Sequence, residues 1–285
     1  MTPVFYMFSG PDFVSVNSLY PDASTYILCG LEPIGKIVPI ESLSSEKVAA
    51  SMQNLVASLS SIVRLSFFRT KDMEIDFQKG DITGILPVLY IFMARTGNQV
   101  LDTQYVALDE NGQVVAEQAA QGDVAKAYVH GVKITFIKEG KSSSQQLFYF
   151  RANIVNSGLA KTPGFLKFLE SFGKSVTYLK AASYLMYKGY FSTIRDFLLA
   201  NSQSILGDDS GMPFKYLNND NWALTLYGNY NAPIALFQDF FQPDLKKAYE
   251  NKSKIKPLPF GTGYTYSRNS NLVYAVAKPK DLITP

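Results

Sequence analysis

Asp208, Asp209 and Ser210 place two carboxylates beside a hydroxyl, inside the stretch ILGDDSGMPF at residues 205–214. Neighbouring carboxylates can hold a cation, and a pair sharing one site splits its pKa values for acid/base work. The plainer reading is that Gly207 stops a helix, after which Asp and Ser hydrogen-bond the turn leading to Pro213. Negative charges at a helix C-terminus oppose the dipole by roughly several tenths of a kcal/mol each, and locally inconsistent positions are often functional ones. Asp208, Asp209 and Ser210 are therefore the candidate catalytic residues. Adjacent side chains alone rarely span a hydrolytic bond, so Asp12 is the candidate distant partner.

Asp12 closes the segment Ser9-Gly10-Pro11-Asp12, which follows a first apolar run. Loops at the carboxyl ends of strands are where open α/β sheets place ligands. Ser9 is thus a candidate ligand contact, and Asp12 could bind a substrate hydroxyl; the alternative is an ordinary helix start. Cys29 and His130 could form a thiolate pair. However, Cys29 follows Tyr-Ile-Leu in an apolar run, where a thiol behaves as a small apolar group. Trp222, Tyr227, Tyr230, Phe260 and Tyr264 lie in a C-terminal region rich in rings and glycine. Rings with a polar tip suit glycan or peptide surfaces. They also fill one face of a sheet.

Several chemistries are excluded. One Cys and one His allow no intramolecular disulfide and no Cys- or His-rich zinc site. There is no GxGxxG after the first strand, no GxxxxGK[ST] and no GxSxG, so no cofactor and no metal are expected.

The elements that must position these residues follow from periodicity. Val4–Phe8 reads as a strand, and Pro11-Asp12 as the start of a helix reaching about Leu19. Tyr26–Cys29 reads as a second strand. Val48, Met52, Leu55, Val56, Leu59, Ile62 and Val63 form one face of a helix that Ser44 caps. Met73, Ile75 and Phe77 alternate as in a strand. A further helix is expected from Asp81 to Gly97, with Pro87 in its first turns. The period then becomes two. Residues 99–109 and 113–117 flank Asn111-Gly112, a strong hairpin signal, and strands at Val132–Phe136 and Leu147–Ile154 complete a β-meander. Thr162-Pro163 opens a short helix ending at Gly173. Ser175–Lys188 reads as the next helix, and Ser192 as the cap of a third that runs through Ile205 to Gly207. Residues 221–230 and 271–278 read as strands, with a helix over Asp244–Asn251 between them. The order predicts an α/β fold in which a mixed sheet with a central antiparallel meander is covered by helices. A single domain over residues 1–285 is expected, with 1–157 and 158–285 as the alternative.

Hydrophobic residues make up 47% of the chain and charged residues 18%, a globular composition. The net charge of +3 and the sparse Lys252/Lys254/Lys256 ladder argue against a nucleic-acid partner. The longest apolar run, Ile85–Ala94, is too short to span a bilayer and contains Pro87, so no transmembrane segment is expected.

The segments FSGPDF, YPDASTYILCGLEPIG, LSFFRTKDM, LKAASYLM, DDSGMPFKY, LPFGTGY and SNLVYAVAK occur in this order along almost the whole chain. Together they resemble a family of uncharacterised bacterial proteins, many of them exported, with no established activity. The resemblance implies a periplasmic or secreted protein. The N-terminus carries no signal peptide, which leaves a cytoplasmic setting as the alternative. Two functional expectations follow. The first is a protein that binds a small molecule, glycan or envelope component through its aromatic and Gly-rich loops. The second is a carboxylate-dependent hydrolase using Asp208 and Asp209. Whether the protein is an enzyme is left open.

Overall fold

The computed structural model describes residues 2–37, 42–50, 53, 83–117, 128–258 and 270–279. The fold is α/β, and the chain divides into two compact units, Met1–Gly173 and Lys174–Pro285.

The first unit begins with a βαβ turn. Strand β1 (Val4–Tyr6) leads to helix α1 (Phe13–Leu19) and then to strand β2 (Thr25–Gly30), which lies parallel to β1. Both strands are apolar runs, as parallel strands covered on both faces require. Helix α2 (Leu86–Arg95) starts later than the sequence suggests, and Pro87 is its second residue, where the missing N–H costs nothing. Strand β3 (Asn98–Leu108) and strand β4 (Val114–Ala116) form the expected hairpin, and Gly112 takes the positive φ of its turn.

Strand β5 (Val129–Lys138) then pairs with β3 and not with β4, so the central strands do not form a simple meander. Only three residues of β4 join the ladder, which leaves β3 to carry the sheet onward. Strand β6 (Ser144–Arg151) runs antiparallel to β5 and parallel to β2. The order within this unit is β4-β3-β5-β6-β2-β1. Two short helices, α3 (Asn156–Lys161) and α4 (Gly164–Glu170), close the unit. Phe165 and Phe168 of α4 and the following Phe172 meet Phe148, Phe150 and Phe5 edge-on, with ring centroids 5.2–6.2 Å apart. Such pairs add about 0.5–1.5 kcal/mol each beyond the area they bury.

In the second unit the sequence reading needs two corrections. Ser175–Leu179 is not helical but forms strand β7, followed by a 3-10 segment at Ala181–Tyr187. The run Ser-Val-Thr-Tyr-Leu is rich in β-branched and aromatic residues, and every one of its side chains is buried. Helix α5 (Ser192–Asn201) ends ten residues after it starts, and Ser202–Gly207 is strand β8, parallel to β7. Ser192 is the first residue inside the helix, and Phe191 holds the N-cap position. Strand β9 (Trp222–Gly228), helix α6 (Pro243–Ala248), strand β10 (Ile255–Lys256) and strand β11 (Asn271–Ala277) follow. The order is β7-β8-β11-β9-β10, with β11 antiparallel to both of its neighbours.

Residues 45–50 are helical, and Ser44 Oγ accepts from Lys47 N at 3.4 Å as an N-cap does. The rest of the expected helix through Val63, the strand at Met73–Phe77 and Asp81 lie outside the described residues. Among the described residues no helix is long and apolar enough to cross a membrane.

Candidate functional site

Parallel strands β7 and β8 end level with one another, Leu179 opposite Gly207. The next residues are Lys180 on one strand and Asp208, Asp209 and Ser210 on the other. The pair therefore follows a strand and not a helix, and no helix dipole opposes it. The position is the one at which α/β sheets present ligand groups, beyond the carboxyl ends of parallel strands.

All of these residues are buried: Asp208 is 5% exposed, Asp209 3%, Ser210 0% and Lys180 7%. Asp208 Oδ1 accepts from Ser210 N at 3.0 Å and from Ser210 Oγ. Asp208 Oδ2 is shielded from solvent and has no hydrogen-bond partner. Asp209 is held differently. Its Oδ2 accepts from Tyr184 Oη at 2.6 Å and its Oδ1 from Asn271 Nδ2 at 2.9 Å. Its carbonyl accepts from Gln242 Nε2 at 2.8 Å, while Gln242 Oε1 accepts from Phe214 N at 2.7 Å.

These settings govern protonation. Burial, reinforced by the neighbouring Asp209, pushes the Asp208 carboxyl up to about 7 against the pull of Ser210 and Lys180. Burial also raises Asp209, opposed by the Tyr184 and Asn271 hydrogen bonds that favour its ionised form. Burial thus raises both carboxyls, and the two differ in their partners: Asp208 Oδ2 has none, while both Asp209 oxygens accept hydrogen bonds.

A wall of rings adjoins the pair. Tyr184 lies 4.2 Å from Phe237 and 5.2 Å from Phe240, centroid to centroid, and Tyr187 lies 5.3 Å from Phe240. The Tyr187 hydroxyl is shielded and lacks a hydrogen-bond partner; burial raises its pKa, and the charges of Tyr230, Asp209 and Asp208 add to the rise.

The remaining expected site residues have settings of their own. Asp12 caps α1 by accepting from Ser15 N at 3.2 Å, and its other oxygen accepts from Tyr6 Oη at 2.9 Å. Ser9 is buried, with its hydroxyl turned back to Gly10 O at 2.8 Å and accepting from Cys29 N at 3.1 Å. Trp222 and Tyr230 are core residues, the latter accepting from Gln242 N at 3.2 Å. Tyr227 is half-buried with the Lys256 ammonium 5.7 Å from its ring centre. Phe260 and Tyr264 lie outside the described residues. Cys29 Sγ points to Ala152 O at 3.6 Å, and burial, followed by the Glu32 charge, drives the thiol far above its usual pKa. His130 Nδ1 faces Glu117 at 3.5 Å. Neither residue has the setting of a nucleophile–base pair.

Lys180, Tyr184, Tyr187, Gln242 and Asn271 were not singled out from sequence. The strand signal in residues 175–179 could have placed Lys180, but nothing local marks Gln242 or Asn271. In the first unit, buried Glu32 follows β2 and takes a hydrogen bond from Tyr149 Oη at 3.1 Å. A cleft of about 250 Å³ in that unit is lined by Pro21, Asp22, Lys141, Ser143 and Gln145. Its charges already pair, Lys141 with Asp22 at 3.1 Å.

Among the described residues no three His, Cys, Asp or Glu side chains converge as metal ligands. No protein family, no curated protein and no solved structure matches the chain.

Proposed function

We propose that the protein binds a small polar ligand beyond the carboxyl ends of β7 and β8, with Asp208 as the anchoring group. One observation carries this reading: Asp208 Oδ2 is buried beside a second carboxylate without a hydrogen-bond partner. A buried polar atom left unsatisfied costs about 1–3 kcal/mol, and a ligand hydroxyl or amine seated there would recover that cost. The Tyr187 hydroxyl offers a second point of attachment. Glycans and other polyhydroxylated or amine-bearing molecules fit this donor and acceptor set. A periplasmic or secreted setting rests on the resemblance of the sequence segments alone, and cell fractionation of a tagged chain tests it.

The ligand test is a thermal-shift screen of sugars, amino sugars and amino acids on the wild type and on Asp208→Asn. Compounds using the site should raise Tm by several degrees in the wild type and lose that effect in the variant. Hits that shift both proteins equally would sink the proposal.

The unequal hydrogen bonding of the carboxyls favours a second reading, hydrolysis with Asp208 as general acid and Asp209 as the second carboxyl. A screen with chromogenic glycosides and esters tests it. Turnover should fall as Asp208 loses its proton near pH 7 and vanish in Asp208→Asn and Asp209→Asn. Turnover that survives both substitutions removes these roles.

A further inference from the structure

We propose that the cleft lined by Pro21, Asp22, Lys141, Ser143 and Gln145 is a second binding site, which takes the zwitterionic head of a small α-amino acid. The inference goes beyond the ligand reading above and does not depend on it.

Two turns of the first unit build the cleft. Ala23 N donates to Tyr20 O at 3.2 Å, closing a turn with Pro21 and Asp22 at its centre, and Pro suits the first of those two positions. Lys141 N donates to Lys138 O at 3.0 Å, which turns the chain from β5 toward β6 and brings Lys141 and Ser143 to the same opening.

The floor is held firmly. Gln145 is 6% exposed, and its Nε2 donates to Pro21 O at 3.0 Å and Ala23 O at 2.6 Å, with Tyr26 Oη 3.5 Å away. Two carbonyl acceptors require the amide nitrogen on that side, so the orientation of the side chain is settled by its partners. Its Oε1 takes no hydrogen bond among the described residues and is the acceptor that the floor offers.

The mouth carries one charge of each sign. Lys141 Nζ lies 3.1 Å from Asp22 Oδ1, and the two side chains are 54% and 72% exposed. An ion pair so exposed is weak and screened by salt. A ligand that offers each partner its own counter-charge replaces that one contact with two. An α-amino acid does so, because its ammonium and carboxylate are carried on one carbon. The carboxylate takes the Lys141 ammonium and the Ser143 hydroxyl, and the ammonium takes the Asp22 carboxylate and Gln145 Oε1. A neutral sugar would leave both charges unused, and a simple ion would satisfy one partner at the expense of the other. The volume of about 250 Å³ lies below the roughly 300–1,000 Å³ of pockets for drug-sized ligands, as a molecule this small requires.

The test is an NMR titration of the isotope-labelled protein with L-alanine, N-acetylalanine, alaninamide and glucose. It is read at the Gln145 side-chain amide and the backbone amides of Asp22 and Ser143. Alanine should shift these signals saturably, with Kd in the millimolar range that exposed charges allow. The two blocked derivatives each lack one charge and should bind at least about tenfold more weakly, as should glucose. Asp22→Asn and Lys141→Met remove exposed groups, and each should weaken alanine binding about fivefold or more. Blocked derivatives that bind as well as alanine would overturn the proposal, as would variants of wild-type affinity or the lack of a saturable shift at roughly 50 mM alanine. So would shifts confined to Ser210 and Asn271, which would put alanine at the Asp208–Asp209 pair. If a variant fails to fold, the blocked derivatives decide the question on the wild type alone. Below its Kd such binding moves Tm little, so it does not imitate a ligand at Asp208. A silent cleft leaves the Asp208 reading intact, and a carboxylate pair without a ligand leaves the cleft intact.

Discussion

Lys180 and Asp208 are the first residues beyond a matched pair, Leu179 and Gly207, on adjacent parallel strands. Their side chains are buried together, and the Lys180 ammonium restrains the rise that burial imposes on the Asp208 carboxyl. Gly207 allows this proximity, since a Cβ there would lie 2.7 Å from Leu179 O.

Stability should fall as pH rises through neutrality. In the folded protein the Asp208 pKa is raised from 3.8 to about 7, so between these values the native state holds a proton that the unfolded chain has released. Stability therefore declines across this window, by on the order of a few kcal/mol if the whole shift is expressed. Urea unfolding at pH 5 and pH 8 should show the loss in the wild type and a smaller one in Asp208→Asn. Equal losses in the two proteins would contradict the assignment.

Asp209 should matter more to folding than its hydroxyl partner does. Asp209→Ala leaves Tyr184 Oη and Asn271 Nδ2 buried without this acceptor, which should cost about 2–4 kcal/mol. Tyr184→Phe removes the hydrogen bond to Asp209 and keeps the ring against Phe237, at a cost nearer 1 kcal/mol. A double-mutant cycle should give a coupling well above zero; additive losses would show that the contact contributes nothing.

Cys29 should be chemically silent. Burial and the Glu32 charge suppress its thiolate, and the thiol is enclosed in the core. A thiol-reactive chromogen should leave the native protein unmodified for hours and modify one thiol per chain in denaturant. Rapid reaction under native conditions would refute the buried placement.

Two glycines with positive φ separate backbone strain from collision. At Gly112, φ is 80° and a Cβ would meet Phe168 N at 2.6 Å; at Gly140, φ is 77° and nothing lies within 4 Å. Gly140→Ala should cost about 1–2 kcal/mol, the price of a left-handed alanine. Gly112→Ala should cost distinctly more, because α4 must move. Equal melting temperatures for the two variants would mean that α4 does not pack on the β3–β4 turn.

Local signals made much of the first unit legible. An apolar run, Pro11 and Asp12 define β1 and α1, and Asn111-Gly112 defines the hairpin, because turn and cap chemistry depend on a few adjacent residues. Residues 175–179 and 202–207 read as helix from the sequence because short apolar runs fit either period, and a buried parallel strand has no alternation to reveal it.

The sequence by itself determined the α/β class, the lack of an intramolecular disulfide and the suspicion attached to Asp208 and Asp209. It put that suspicion on the wrong ground, a helix dipole that is not there. Tertiary structure decided the rest. Tyr184, Gln242 and Asn271 reach Asp209 across 25, 33 and 62 residues of chain, and contacts at such separation leave no periodic or local trace. Burial is likewise a property of the assembled unit, and burial is what holds a proton on Asp208 near neutrality.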